Sequence, residues 1–267
     1  MQIIDFHTHV FPDAIARKAT ESICEFYHMT AMVDEGTVGQ LIQLHQEAGI
    51  SHACIHSVAI TAHYVESINR FISGAATKYP DHLTGFAAIH PEYQDPERLV
   101  EETKRQGLKG FKIHPDMQKF ALDSPEAMEM FAAIEGKLPI IIHTGDCRFE
   151  YSRPWQMKKV LDAFPKLVCI CAHLGGWSEW DEARKTLAQY ENAYVDTSSS
   201  LYAMTPEEGR RIVRSYSRDR VLFGTDFPMW NPKKELERFY RLKLTEEEEE
   251  KILRKNAEDL LQMNNKA

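Results

Sequence analysis

The 267-residue sequence lacks the features by which a membrane or exported protein is recognised. No window approaches the roughly 20 apolar residues that a bilayer-spanning helix needs. The first residues, Met1–Asp5, contain no basic segment and precede no long apolar run, so no secretory signal is predicted. Low-complexity segments, repeats and linkers are also missing. These absences favour one soluble, cytoplasmic domain over residues 1–267.

Cysteine is scarce and scattered, with five residues in the whole sequence. They are Cys24, Cys54, Cys147, Cys169 and Cys171. An odd, irregularly spaced set does not form a disulfide framework and is typical of a reducing, cytoplasmic environment. Cys169 and Cys171 lie two residues apart in an apolar run. We therefore expect both thiols on one face of a strand, as inert core groups.

Basic residues are fewer than acidic residues. The sequence has 40 acidic and 32 basic residues, which gives a formal net charge of −8. An acidic surface repels phosphate backbones and anionic lipid headgroups, so nucleic acid and membranes are not expected partners. A small-molecule substrate is expected instead. It can even be anionic, because a site can carry its own local positive charge.

What the sequence does contain is a regular alternation of short apolar runs with amphipathic helical patterns. The runs have the composition of strands that are buried on both faces. The predicted strands are Ile3–Phe6, His52–Ile55, Leu83–Ile89, Leu108–Ile113, Leu138–Ile142, Leu167–Ala172, Ala193–Val195 and Val221–Phe223. Eight strand–helix units predict a (β/α)8 TIM barrel, although an open doubly wound sheet uses the same units.

The connection that follows the first predicted strand is unusually long. Residues 10–36 include a helical pattern around Ala14–Phe26. The loops that follow barrel strands surround the active-site face of this fold. We therefore interpret the segment as an insertion over the barrel mouth and as part of a lid.

Histidine is concentrated where the predicted strands end. Seven of the twelve histidines fall there, and an aspartate follows the eighth strand. These residues are His7, His9, His56, His90, His114, His143, His173 and Asp226. The carboxyl ends of barrel strands converge on one face, and so many core histidines would each need polar partners. The pattern predicts a metal site at the barrel mouth, since imidazole and carboxylate groups are common metal ligands.

Five ordered motifs resemble the amidohydrolase superfamily. They are Ile4–His9, Gly110–Pro115, Ile142–Gly145, Ala172–Gly176 and Leu222–Pro228. The set is similar to the branch of TIM-barrel metal hydrolases that includes aminocarboxymuconate semialdehyde decarboxylase. The resemblance runs from residue 3 to the stretch Lys255–Glu258. It is specific for the superfamily and poorly specific for a reaction.

The resemblance implies a ligand set of three imidazoles and one carboxylate. His7 and His9 match ligands on the first strand, His143 matches the ligand after the fifth, and Asp226 matches the ligand after the eighth. This set suits Zn²⁺, with Mn²⁺, Fe²⁺ or Co²⁺ as alternatives. A bound water would become acidic and act as the nucleophile, and Asp226 would take a proton from it.

His173 and Lys112 decide between one ion and two. His173 matches a histidine that polarises the metal-bound water in single-metal relatives and binds the second ion in two-metal relatives. Lys112 lies near the place of a lysine that some members carboxylate to bridge two metals, whereas the single-metal decarboxylases lack it. Alternatively, Lys112 pairs with a nearby carboxylate or binds the substrate.

Four further residues are expected to contact the substrate. Arg148, after the fifth strand, would hold a substrate carboxylate with two parallel hydrogen bonds. Trp177 would form a pocket wall or anchor the packing of a helix. His56 would bind the substrate or cap the barrel face, and His114 would contact the substrate or support a ligand.

We expect metal-dependent hydrolysis of an amide, ester or lactone. The first alternative is non-oxidative decarboxylation of an unsaturated or aromatic carboxylate, which Arg148 would favour. Hydration of a double bond also fits the same set of residues. A nuclease resembling the TatD-like deoxyribonucleases is disfavoured by the net charge and by Lys112, because those enzymes have an acidic residue near that position. A metal-binding barrel without catalysis is disfavoured because all four proposed ligands are retained. The resemblance also suggests a homodimer.

Overall fold

The computed structural model of the protein describes residues 2–29 and 34–263. Parallel strands alternate with helices along the chain. The strands are β1 (Ile4–His9), β2 (His52–His56), β3 (Leu83–Gly85 and Ala87–Ala88), β4 (Phe111–Ile113), β5 (Ile140–Ile142), β6 (Cys169–Cys171), β7 (Ala193–Asp196) and β8 (Val221–Leu222). Almost all of their side chains are buried, as continuous apolar runs predict.

The sheet closes on itself. The first segment of β3 pairs with β2 and the second pairs with β4, so β3 joins the two halves of the sheet. Between β8 and β1, the backbone N–H of Phe6 donates to the carbonyl of Phe223 at 2.8 Å, and that of His9 donates to the carbonyl of Phe227 at 2.7 Å. These bonds complete the predicted (β/α)8 barrel, and the alternative of an open doubly wound sheet is wrong.

Helices follow the strands as the barrel order requires. They are α1 (Ala16–Tyr27), α2 (Val38–Ala48), α3 (Val65–Lys78), α4 (Pro96–Arg105), α5 (Pro115–Gln118), α6 (Pro125–Ile134), α7 (Pro154–Ala163), α8 (Trp180–Leu187), α9 (Pro206–Val213), α10 (Pro232–Tyr240), α11 (Glu246–Glu250) and α12 (Asn256–Leu261). A π-helical turn, Lys251–Lys255, joins the last two. No helix among the described residues combines the length and hydropathy needed to cross a membrane.

The insertion after β1 is helical, as predicted. Its helix α1 ends over the barrel mouth, where the ring of Phe26 stacks on that of Phe149 with centroids 5.6 Å apart. The hydroxyl of Tyr27 lies 2.7 Å from Nε2 of His114. The insertion therefore covers part of the face on which the strands end. Residues 30–33 of this connection lie outside the described residues.

Two hydrophobic clusters form the core. The larger lies between strands and helices and includes Cys169 and Cys171. The smaller is built from mid-strand side chains such as Phe6, Phe86 and Ile170, which fill the inside of the barrel. Burial raises the pKa of both cysteine thiols, which agrees with the prediction that they are core groups on one face of a strand.

An irregularity in β1 directs two histidines towards the barrel mouth. Ile4 and Phe6 point into the barrel, so strict alternation would place His7 on the opposite face. The pairing of β1 with β2 shifts between Asp5 and Thr8. Such a bulge changes the face that the following residues occupy. His7 and His9 therefore both reach the site.

The segments after β5 and β6 touch each other through two glycines. Gly145 has a φ of +82°, and a Cβ built on it would lie 2.3 Å from Cα of Gly176. No side chain fits at this contact. Since the two segments begin with His143 and His173, the glycine contact also fixes the spacing of these histidines.

Replacing Gly145 with alanine should lower the free energy of unfolding by at least about 2 kcal/mol, because the new methyl group meets backbone and the left-handed conformation disfavours alanine. Urea unfolding followed by circular dichroism measures the change. Gly74→Ala is the control, since Gly74 lies in α3 with open space around it. That variant should be unchanged or more stable by up to about 1 kcal/mol. Equal stability of the two variants would contradict the proposed contact.

Candidate active site

The strand ends bring most of the predicted residues into one buried cluster. Its members are His7, His9, His56, Lys112, His114, His143, His173 and Asp226. Neighbouring imidazole centroids in this cluster lie between 3.8 and 5.3 Å apart. His9 is partly exposed and the others are buried. His90 lies apart from the cluster, with its ring 6.3 Å from that of Phe120.

Asp196, at the end of β7, fixes the orientation of His7. Its Oδ2 lies 2.9 Å from Nδ1 of His7, and both side chains are fully buried. Burial by itself would raise the pKa of Asp196, but the interaction with His7 lowers this pKa to about 2. Burial and the charge of Lys112 lower the pKa of His7 to about 4. His7 is therefore neutral, donates its Nδ1 proton to Asp196, and directs the lone pair of Nε2 into the site.

Asp226 lies beside both histidines of β1. Its Oδ1 is 3.5 Å from Nε2 of His7 and 3.4 Å from Nε2 of His9. The Ser199 hydroxyl donates to its other carboxylate oxygen, and the indole N–H of Trp230 donates to that hydroxyl at 2.7 Å. The backbone of Asp226 has a φ of +60°, a strained conformation that is common at functional sites. Trp230 thus orients Asp226 through Ser199.

His173 and His143 form a hydrogen-bonded pair. Nε2 of His173 lies 2.9 Å from Nδ1 of His143, and Nδ1 of His173 lies 3.0 Å from the carbonyl oxygen of Ser198. Because a carbonyl only accepts, Nδ1 of His173 carries the proton and its Nε2 accepts from His143. Nε2 of His143 is then a buried lone pair, and it has no hydrogen-bond partner among the described residues.

His56 lacks a hydrogen-bond partner for either ring nitrogen within the described part of the chain. Its fully buried ring meets those of His7 and His9 edge-on, at centroid distances of 4.7 and 4.4 Å. One nitrogen from each of these three residues lies within 4.8 Å of the other two. Since buried imidazoles normally have partners, His56 is available to a ligand of the protein.

Lys112 projects from β4 into the same cluster. Its side chain is fully buried, and Nζ lies 3.3 Å from Nε2 of His7. Burial lowers the pKa of Lys112 to about 8, although the negative charges of Asp226 and Asp196 raise it. No carboxylate oxygen of the described residues lies within 4.0 Å of Nζ. The predicted pairing of Lys112 with a nearby carboxylate is therefore not observed.

Arg148 already has partners within the protein. Its Nε and Nη2 donate to the two carboxylate oxygens of Asp146 at 2.9 and 2.7 Å, and its Nη1 donates to the carbonyl of Phe26 at 2.9 Å. The guanidinium also lies 5.4 Å from the ring centroid of Trp177. Arg148 thus ties α1 to the segment after β5. A substrate carboxylate would have to compete with Asp146 for it.

His114 supports the insertion. Its Nδ1 accepts the backbone N–H of Met117 at 3.3 Å, so Nε2 carries the proton and donates to the hydroxyl oxygen of Tyr27. The Tyr27 hydroxyl keeps its own proton for another acceptor. The ring of His114 also stacks on that of His143 with centroids 3.8 Å apart. In this structure it fits the supporting role better than a direct substrate contact.

Several residues of the site were missed in the sequence. They are Asp196, Ser199, Tyr27 and Asp116. Asp116 lies 3.8 Å from Nε2 of His143, and burial raises its pKa to about 7. Only Asp196 carried a usable signal, since it directly follows the seventh predicted strand, Ala193–Val195. The others depend on the paths of loops and of α1, which local patterns do not predict.

The donor groups fit a divalent metal ion. His7 and His143 each present a buried lone pair whose direction is set by a hydrogen bond on the other ring nitrogen. His56 is unpartnered, and Asp226 supplies a carboxylate. The side chains fall into two groups that are compact enough for a metal. The first group is His7, His9 and His56, and the second is His114, Asp116 and His143.

The fold and the site together define a barrel with a buried, histidine-rich centre at the carboxyl ends of its strands. The family model described as "Amidohydrolase" matches residues 4–263 of this chain. The chain therefore belongs to the amidohydrolase family, as its motifs indicated, and its relatives are enzymes.

One curated relative and two solved structures illustrate this likeness. Decarboxylase orsB of Emericella nidulans is 30% identical over 128 residues, which are 40% of this chain and 38% of that protein. The uncharacterized TIM-barrel protein Bb4693 of Bordetella bronchiseptica has a TM-score of 0.80 at 21% identity, covering 98% of this chain and 99% of the other. A dihydroxybenzoic acid decarboxylase of Polaromonas, with bound manganese and the inhibitor 2-nitroresorcinol, has a TM-score of 0.75 at 17% identity, covering 99% and 98%. The two structures confirm the fold.

The metal-free protein should lose stability as the pH falls from about 6.5 to about 4. Burial lowers the pKa of eight described histidines, so the unfolded chain binds protons in this range that the folded chain does not. Asp116 and Glu235 have a pKa that is raised to about 7, so the folded chain binds their protons more readily and gains stability as the pH falls. These two groups are outnumbered by the eight histidines. Urea unfolding of chelator-treated protein at several pH values measures this slope. A free energy of unfolding that rises towards acid would contradict the prediction.

Replacing His56 with glutamine should weaken the binding of Mn²⁺ or Zn²⁺ at least about tenfold, because the unpartnered ring lies with His7 and His9. Isothermal titration of the chelator-treated protein measures the affinity. His143→Gln in the same assay tests the ligand that the family resemblance assigns, and His63→Gln, at an exposed position, is the control. Unchanged metal affinity in His56→Gln would show that His56 is not a ligand.

Proposed function

We propose that the protein is a metal-dependent, non-oxidative decarboxylase of a small aromatic or unsaturated carboxylate. The observation that carries this proposal is the buried histidine cluster beside Asp226, in which both ring nitrogens of His56 and Nε2 of His143 have no partner among the described residues, on a barrel that resembles a dihydroxybenzoic acid decarboxylase over almost its whole length. The partial match to a second decarboxylase supports the same chemistry. The comparisons thus favour our first alternative over the hydrolysis that we expected from the sequence.

In this proposal His7, His9 and Asp226 hold one divalent ion, together with His56 or His143. When bound, the ion acts as a Lewis acid towards oxygen atoms of the substrate. Manganese is bound in the Polaromonas enzyme, and a histidine-rich set also accepts zinc, so both metals are candidates. Asp196 orients His7 by accepting the hydrogen bond from its Nδ1, as carboxylates commonly do for metal-binding histidines.

Decarboxylation replaces the carboxylate by a proton. The proton is added to the carbon that bears the carboxylate, the carbon–carbon bond breaks with its electron pair left on the ring, and CO₂ departs. We propose that Asp226 and His173 hold and transfer this proton, because both lie in the buried cluster. The carbonyl of Ser198 fixes the tautomer of His173, so that its Nε2, which accepts the hydrogen bond from His143, is the nitrogen that can take up a proton.

Tyr27 and Trp177 form the wall above the cluster. Their ring centroids lie 5.2 Å apart, and the ring of Tyr27 lies 6.3 Å from that of His143. Flat aromatic side chains suit a flat substrate, since aromatic rings favour offset or edge-on contacts. We propose that the substrate ring packs between this wall and the imidazoles, with α1 excluding water from it.

The other interpretations have less support. Hydrolysis of an amide, ester or lactone would use the same metal chemistry, but no residue described here favours it over decarboxylation. Nuclease activity conflicts with the net charge of −8 and with a buried lysine at position 112. A cytoplasmic location, a homodimer and a single domain over residues 1–267 stay predictions from the sequence.

Asp226→Asn should leave the fold intact and lower decarboxylation by at least about a hundredfold, because the carboxylate is lost as a proton carrier and as a ligand. CO₂ release from a panel of hydroxybenzoates by manganese- or zinc-loaded protein measures the activity. Ser199→Ala is the matched variant, since it removes a hydrogen bond to Asp226 and keeps the carboxylate, and it should lose much less activity.

Two results would count against the proposal. A normal rate in Asp226→Asn would exclude the proposed site. A wild-type protein that releases no CO₂ from the panel but hydrolyses esters or lactones would restore hydrolysis as the function.

A further inference from the structure

Lys112 provides the positive charge of the cluster and has no role in the chemistry described so far. Its side chain is fully buried, and the hydrogen bond of its Nζ runs to Nε2 of His7 at 3.3 Å. None of the described aspartates and glutamates places an oxygen within 4.0 Å of it. The carboxylates of Asp226 and Asp196 act on Lys112 only from beyond this distance. A buried ammonium group without a direct ion pair lowers stability.

Two other basic side chains that follow β5 already have acidic partners. Arg148 pairs with Asp146 at 2.7 Å, and Arg153 pairs with Glu179 at 2.7 Å. Their charges are compensated before any ligand arrives. Of these three cations, only Lys112 has no direct ion pair among the described residues and can form one with a substrate.

The partner of Lys112 is a nitrogen that metal binding would occupy. Nδ1 of His7 donates to Asp196, so Nε2 is the atom left for a metal ion. A lone pair that binds a metal ion cannot also accept a hydrogen bond. Lys112 then requires a different acceptor, and the described residues around Nζ include no carboxylate within reach.

We propose that Lys112 binds the carboxylate of the substrate, and that it selects an aryl acid over its neutral counterpart. This inference rests on the proposed function, because a decarboxylase substrate carries the carboxylate that Lys112 would bind. A charge-assisted hydrogen bond is about twice as strong as a neutral one, and burial strengthens it further. β4 holds Lys112 in place between Ala88 and Ile141 of the neighbouring strands, so the cation is positioned before the substrate binds.

Equilibrium binding of benzoate and benzamide to the manganese-loaded protein tests this assignment. The two probes share ring and shape but differ in charge, and neither needs to react. The wild-type protein should bind benzoate at least about tenfold more tightly than benzamide. Lys112→Met should remove this preference by weakening benzoate alone. Its manganese content, measured by elemental mass spectrometry, should be unchanged.

Two further variants sharpen the test. Lys109→Met removes an exposed lysine close by in the sequence and should bind both probes as the wild type does. Lys112→Arg keeps the cation and should retain a preference for benzoate. If Lys112→Met fails to fold, Lys112→Gln takes its place, because a variant without the cation is needed to separate the contribution of Lys112 from that of the metal ion.

Three outcomes would overturn the inference. They are a wild-type protein without preference for benzoate, an equal loss of both probes in Lys112→Met, and a loss of metal from Lys112→Met, which would make Lys112 part of the metal centre. The outcome is independent of turnover. A protein whose preference for benzoate depends on Lys112 but that releases no CO₂ would refute the decarboxylase proposal and leave the role of Lys112 standing.

Discussion

The hydrogen bond from His7 to Asp196 joins the first and seventh strands inside the barrel mouth, and the geometry of the site depends on it. By accepting the hydrogen bond from Nδ1 of His7, Asp196 keeps the proton on that nitrogen and leaves Nε2 as a lone pair that faces Lys112 and Asp226. The same carboxylate accepts the backbone N–H of His173 at 3.2 Å. One buried acidic group therefore orients residues from two strands at once.

The cluster as a whole is polar, buried and incompletely paired. Both nitrogens of His56 and Nε2 of His143 lack hydrogen-bond partners among the described residues, and no described carboxylate forms a direct ion pair with Lys112. Unsatisfied buried groups lower stability, and proteins retain them mainly where a ligand completes the set. A metal ion for the imidazoles and an anion for the lysine would satisfy these groups together. This shared requirement links the proposed metal centre to the proposed substrate class.

The fold was predictable because barrel strands are short, apolar and regularly spaced, and the histidines were predictable because they follow those strands directly. The register shift in β1 was not predictable, yet it is what turns His7 and His9 towards the mouth. Tyr27 reaches the site only through the path of the insertion. The pairing of Arg148 with Asp146 likewise depends on a loop, so its expected contact with the substrate lost support once its partners were known.

The sequence also could not show which histidines bind the same metal ion. Family resemblance assigns His143 to the same ion as His7, whereas the side-chain positions group His56 with His7 and His9. Spacing along the chain cannot distinguish these arrangements, because both residues end strands that open on the same face. Only the directions of the ring nitrogens separate them.

The central claim is that this cluster holds a divalent metal ion, and elemental mass spectrometry of the protein purified without a chelating tag tests it most directly. We predict about one manganese or zinc ion per chain, as a mononuclear site of imidazoles and one carboxylate requires. About two ions would indicate a binuclear centre in which Lys112 takes part. A protein that retains no metal, even after incubation with Mn²⁺ or Zn²⁺, would contradict the account.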